Sequence, residues 1–280
     1  MASTPESIKL QIDDITNLPT LPSVVKFVTS MVEQEDASAQ EIGNIISRDQ
    51  VLSAKLLRMV NSPFYGFPGR ISSVTHALVL LGFNVVKGLV LGTAVFDNMG
   101  HGTQGLWKHS LGTAVIARKI AKHVGMNDAE EIMVGGLLHD LGKVVLSFIA
   151  PGEYEMAVHL AEENHIHIGE AELKVFGVDH AQVGLWVAEQ WHLPEQLQDI
   201  LYHHHNPDAA ELNPRGAAII HVADILARCM DYGYPGDFSM PTLSHESYRS
   251  LGLYPQDIQN ILQDTDQDFE ADVSIFASGD

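Results

Sequence analysis

Apolar residues recur at helical spacing through the first hundred residues of this chain, and no strand-type alternation persists there. That periodicity confines the region to helices burying one face against other helices. In LPTLPSVV (18–25) two Leu-Pro steps precede the first stripe, and proline suits a first helical turn. Val24, Val25, Phe27, Val28 and Met31 form that stripe. Ser38 and Glu41 make an S-x-x-E capping box ahead of Ile42, Ile45 and Ile46. QVLSAKLLRMV (50–60) repeats the pattern through Val51, Leu52, Leu56, Leu57 and Val60. NSPFYGFPGR (61–70) interrupts it with Pro, Gly and three aromatics, which reads as an ordered loop pinned by its rings. SSVTHALVLLGFNVVKGLVLGTAV then reads as one or two buried helices, broken near Gly82.

The Gly-rich NMGHGT (98–103) is the expected boundary between two parts. Amphipathic helices are expected beyond it at 104–124, 128–139, 151–164, 170–176, 179–191, 194–204, 214–231 and 255–263. Asp179 with Gln182 resembles a capping box, and Pro194 sits at an N1 position. The expected organisation is an all-α chain: a helical lobe over 1–97, a second helical lobe over 98–264, and an acidic tail, partly disordered, over 265–280.

Bulk properties exclude several function classes. Sixteen Lys and Arg stand against 36 Asp and Glu, a formal net charge of −20. Such a chain repels a phosphate backbone on average, so nucleic acid is not an expected partner. The single cysteine, Cys229, rules out an intrachain disulfide and fits a reducing cytoplasm. MASTPESIKLQIDD has neither the basic start nor the apolar run of a signal peptide. The longest apolar stretch, ALVLLGFNVVKGLVLGTAVF, is interrupted by Lys87 and glycines, so no membrane span is expected. Histidine is the outlier, with 15 residues, about twice the usual share, mostly after residue 100.

Those histidines fall where chemistry can use them. His109, adjacent His139-Asp140, His180, the run His203-His204-His205 and Asp224 each lie on or at the end of an expected helix. Helices can aim several rigid ligands at one point. Neutral imidazole with carboxylate suits Fe, Mn, Zn, Ni or Co, and an Asp can bridge two ions. A carboxylate among apolar residues, as at Asp224, needs a partner because burying it alone is costly. Three consecutive helical residues point about 100° apart, so only two of His203–His205 can serve one centre. His76, His101, His123, His159, His192 and His245 read as ordinary surface or satisfied histidines.

The order H…HD…H…HH…D resembles the HD superfamily of metal-dependent phosphohydrolases, and HDLGK (139–143) matches its HD-x-G-K core. HAQVGLWVAEQWHLPEQLQDILYHHHNP is similar to a segment shared by the HD-GYP and HDOD branches. LPTLP, the run from Ile45 to Gly66 and ISSVTHALVLLG single out the HDOD branch, and the resemblance covers about residues 15–230. It implies a helical N-terminal lobe packed on an HD-like lobe. It further implies one metal held by His109, His139, Asp140 and Asp224, and a second held by bridging Asp140 with His180, His204 and His205. Fe or Mn is favoured, with Zn, Ni, Co or Mg as alternatives. Lys143 would meet ligand phosphate as a point charge. Gly105 stands where some HD-GYP proteins carry a Glu, which argues against a third metal. NPDAAELNP replaces the GYP signature, and Gly233-Tyr234-Pro235 comes too late in the chain to supply it. Gly135 and Gly136 would allow close helix approach, and Gly142 would let the chain turn so that Lys143 faces the metals.

Two functions follow from the resemblance. The first is a bacterial signalling module that binds metal and a phosphate-bearing small ligand and presents a surface, with the aromatic loop 63–68 as one candidate, to a protein partner. The second is a phosphohydrolase in which Asp140 and Lys143 carry the chemistry. Di-iron oxygenase chemistry is a third, weaker reading of the same ligands.

Overall fold

The computed structural model describes residues 3–13, 38–47, 50–62, 65, 67, 69–97 and 104–277. Among them all regular structure is helical, and there is no strand. The LPTLP segment, the stripe from Val24 to Met31 and the 98–103 joint lie outside the described residues.

The chain divides into two compact units, one of residues 18–98 with 256–280, the other of residues 1–17 with 99–255. The first unit holds α2 (Ala39–Ile46), α3 (Gln50–Val60), α4 (Val74–Leu81) and α5 (Phe83–Asp97). The capping box expected at its start forms. Ser38 Oγ accepts from the Glu41 N–H while Glu41 Oε2 accepts from the Ser38 N–H, a complete capping box. Ser73 caps α4 through the His76 N–H, and Gly82, at φ 83°, separates α4 from α5. Asn61 stitches the intervening loop by donating to the Leu57 and Ile71 carbonyls and accepting from the Ile71 N–H. In that loop Tyr65 is buried and its ring stacks on Phe67.

The same unit takes in nearly all of α15 (Pro255–Ala277), which runs far beyond the expected end at residue 263. The acidic stretch after 264 continues this helix through Ala277. Ile261, Thr265 and Phe269 are buried at four-residue spacing, a helical stripe that the surrounding Asp and Gln obscure.

The second unit is built on α6 (Gln104–His123), which lies against α7 (Ala129–Leu138) and α13 (Pro214–Cys229). Gly136 permits the first contact, because a Cβ there would sit 2.7 Å from Ala114 Cα. Around this core stand α8 (Leu141–Ile149), α9 (Pro151–Asn164), α10 (Ile168–Phe176), α11 (His180–Gln190), α12 (Glu195–His203) and α14 (His245–Leu251). The N-terminal α1 (Pro5–Asp13) buries Ile8 and Ile12 and packs on α11, with Lys9 Nζ 5.5 Å from the Trp186 ring.

Helices α8 and α14 were not expected. Gly142 reads as a turn in the sequence, but it lies inside α8, where it lets α8 cross α11 at backbone contact. A Cβ at 142 would collide with the His180 carbonyl oxygen. Residues 129–149 form the one stretch, among the described residues, long and apolar enough to cross a membrane, and 83% of its most apolar window is buried inside the protein.

Candidate metal centre

Four helix ends and two helix interiors of the second unit bring ligands together. His109 projects from the middle of α6 and Asp224 from the middle of α13, both at most 1% exposed. His139 and Asp140 occupy the joint between α7 and α8. Asp140 stands at the N-cap of α8, yet its side chain caps nothing and is left for the interior. His180 opens α11, and His204 and His205 follow α12.

These residues form two clusters. His109, His139 and Asp224 bring ligand atoms within 4.8 Å of one another, as do His180, His204 and His205. Asp140 lies between them with one oxygen turned to each. Oδ2 is 3.3 Å from His139 Nε2 and 3.8 Å from His109 Nε2, whereas Oδ1 is 3.5 Å from His180 Nε2. Lys143 Nζ, fully buried one turn on, lies 2.8 Å from both oxygens.

Hydrogen bonds behind the rings decide which nitrogen faces inward. His139 Nδ1 donates to the Gly136 carbonyl and His204 Nδ1 to the Leu201 carbonyl, both at 2.7 Å. His180 Nδ1 is 2.6 Å from Glu172 Oε2, which also accepts from the His180 backbone N–H. A carbonyl oxygen only accepts, so His139 and His204 carry a proton on Nδ1, and neutral His204 turns its Nε2 lone pair inward, the state a metal ligand requires. Nε2 of His139 and of His204 are buried without a hydrogen-bond partner, a costly condition that a bound cation relieves.

Electrostatics agree with that donor set. Burial, then the charge on neighbouring His139, holds the His204 pKa down to about 3, and burial keeps His180 and His205 well below the ordinary histidine value. Burial also lowers His109, against the pull of Asp224. At His139 the same burial is outweighed by the Asp140 carboxylate, and its pKa rises. Asp140, despite burial, is held well below the carboxylate range by His139 and Lys143. Asp224 is held low, despite burial, by Arg228, whose Nε lies 3.0 Å from its Oδ1. Glu172 is pushed well up by burial. Two buried clusters, one of two imidazoles with ionised Asp224 and one of three imidazoles, with ionised Asp140 between them, could thus each hold a divalent ion.

Every sequence-proposed ligand reaches one of the two clusters or the carboxylate between them. His203 does not, because its Nδ1 bonds Asp199 Oδ1 at 2.9 Å. Asp199 also accepts from the Leu212 and Asn213 N–H groups, so His203 belongs to a loop anchor. Of the histidines read as ordinary, the five described, His76, His123, His159, His192 and His245, are all exposed.

Four contributors had not been singled out. Glu172 orients His180, and Arg228 bridges Asp224 to Asp237. His221 Nδ1 donates to the His204 carbonyl. His167 places its ring 4.6 Å from that of His205. Arg228, at i+4 from Asp224 on a helix, carried a readable signal; Glu172 and His167 come close only through the fold. Gly233 of the late Gly-Tyr-Pro run has φ 76° and abuts Gly105 and the His109 N–H, so its role is close packing against α6.

Residues 18–207 match the HDOD domain family. An HDOD domain protein from Geobacter sulfurreducens has the same fold, with a TM-score of 0.71 and 27% identity over 98% of this chain and 99% of that one. A candidate phosphohydrolase from Shewanella amazonensis superposes with a TM-score of 0.71 at 21% identity, over 96% of this chain and 98% of its own, a likeness of fold. An uncharacterised protein of Treponema pallidum is 28% identical over 227 residues, which make up 78% of this chain and 44% of the relative, so the chain spans less than half of that longer protein. With the family match covering more than half of its length, the chain belongs to the HDOD family.

Proposed function

We propose that this protein is an HDOD-type signalling module whose second unit binds two divalent metal ions and, on them, a phosphate-bearing small ligand. The observation that carries the reading is the placement of Asp140, with one oxygen toward each of two buried clusters, in which His139 and His204 already carry a proton on the nitrogen that faces away. His109, His139, Asp224 and Asp140 Oδ2 would hold one ion; His180, His204, His205 and Asp140 Oδ1 the other. Imidazole with carboxylate suits Fe or Mn. Two divalent ions outweigh the carboxylates around them once Lys143 and Arg228 are counted, so the loaded centre attracts an anion. His205, unlike the fully buried members, is partly exposed, which makes its side the approach for a ligand. The charge of −20 disfavours a nucleic acid as the source of that phosphate.

Hydrolysis is the second reading, favoured by the bridging position of Asp140 and by the fold shared with a candidate phosphohydrolase. When bound, such a pair of ions supplies a readily deprotonated water and a clamp for phosphate oxygens. Asp140 would set the spacing of the ions, and Lys143 would offset charge developing on the phosphate.

Metal analysis of freshly purified protein, before and after addition of Fe or Mn, tests the proposal. More than one ion per chain is expected, and its loss in Asp140→Ala. Less than one ion per chain, with no rise on reconstitution, would overturn it. Assays on a generic phosphodiester and on cyclic dinucleotides then separate the readings: bound metal without turnover supports the module, and turnover abolished in Asp140→Ala supports the hydrolase.

A further inference from the structure

His167 precedes α10 and caps it: its Nδ1 accepts from the Gly169 N–H at 3.2 Å. A neutral imidazole has one proton and one in-plane lone pair, so an accepting Nδ1 places the proton on Nε2. That Nε2 is buried and has no hydrogen-bond partner. The ring stands edge-on to His205 at 4.6 Å and lies 6.3 Å from His180. His167 thus has the opposite tautomer to neutral His204, whose Nδ1 donates to the carbonyl behind it. That ring offers a lone pair; this one offers an N–H. It follows that His167 is not a fourth imidazole ligand, although it sits beside two candidates.

A buried donor without an acceptor costs about 1–3 kcal/mol unless something supplies the acceptor. The tilt of His205 against it gives at best a weak ring contact. His167 and His205 are both partly exposed, so this donor stands on the side of the centre that a ligand reaches first.

We infer that His167 is a ligand-binding residue, whose Nε2–H donates a hydrogen bond to an oxygen of a phosphate group bound at the His180–His204–His205 side of the centre. This rests on the metal reading above. It adds a neutral, directional donor to the point charge of Lys143, and so fixes the orientation of the phosphate.

The test measures the binding of inorganic phosphate to metal-loaded protein by calorimetry, in the wild type and in His167→Asn. Asparagine keeps an N-cap acceptor for α10 and removes the Nε2–H. A hydrogen bond to a charged oxygen predicts phosphate binding weakened about 10- to 100-fold, with metal content unchanged. An affinity within about twofold of wild type would overturn the inference. So would a fall in metal content in the variant, which would make His167 a ligand, or metal-loaded wild type that binds no phosphate. Wild type that takes up no metal would overturn the metal reading itself, an outcome distinct from these. Should His167→Asn not fold, the imidazole 15N spectrum of metal-free wild type decides: the Nε2–H tautomer is expected at His167, and the Nδ1–H tautomer would overturn the proposal.

Discussion

On one side of Asp140 stand two imidazoles and a carboxylate, His109, His139 and Asp224; on the other stand three imidazoles, His180, His204 and His205. The first cluster is fully buried, with His109 and Asp224 in helix interiors and His139 at the joint of α7 and α8, and its carboxylate is balanced by Arg228, which in turn reaches Asp237. The second is assembled at helix ends and backed by Glu172, with His205 partly exposed. The difference is one of charge and of access. On the proposed metal reading, the carboxylate-bearing cluster would hold its ion the more tightly, and the all-imidazole cluster would exchange its own the more readily.

The variant expected to do most damage removes what the two sides share. Asp140→Ala should abolish metal binding on both, leaving well under one ion per chain by elemental analysis. Retention of one full ion would show that the clusters are independent. Asp224→Asn should act on one side alone, removing one ion and leaving Arg228 partly unpaired in the interior. Breaking a buried pair in this way costs about 3 kcal/mol, and since Arg228 keeps Asp237 the loss belongs at or below that figure, to be read from denaturant unfolding.

Acid should separate the sides next. In metal-free protein His204 has its pKa lowered to about 3, below the unfolded value of about 6.5. The unfolded chain then binds the proton first. Stability is complete above pH 6.5 and falls as the pH drops toward 3. For His204 alone the loss is about 2 kcal/mol by pH 5. His180 and His205 shift in the same direction, whereas on the other side His109 and His139 shift in opposite directions. Replacing His204 with Gln should therefore flatten the stability–pH profile between pH 5 and 6.5; an unchanged slope would place the acid sensitivity elsewhere. The smallest effect is expected for Glu172→Ala, which frees the His180 ring. Metal affinity on that side should fall about 10-fold, the low end for loss of a group that orients a ligand, with the His109 side unmoved.

The ligand types and the helical scaffold were legible because both depend on short-range pattern. Apolar spacing marks helices such as α6 and α13, and Ser38 with Glu41 announces a cap that forms as written. Glycine was harder to read. Gly82 ends a helix at positive φ, but Gly142 sits within one, and only the crossing of α8 over α11 tells these cases apart. Acidic composition hid the stripe Ile261, Thr265 and Phe269, since charge reports the wet face of a helix and says nothing of the other. Glu172 and His167 were missed for a third reason: they meet the cluster across tertiary distance, and no local spacing encodes the hydrogen bonds that assign tautomers.

Lys143 gives the centre a character of its own. Its ammonium sits 2.8 Å from both oxygens of Asp140, fully buried, on the first turn of α8. The carboxylate thus carries a tethered counter-ion, and the fold does not depend on an outside cation to offset that charge. On the proposed metal reading, an ion arriving at Asp140 would enter by exchange: it would compete with a lysine held at very high local concentration and leave that lysine to find another anion. Occupancy would then decide where one positive charge resides. Because that charge is borne by α8, which crosses α11 at backbone contact, the metal state of the centre would be a matter of how two packed helices share a single ammonium group.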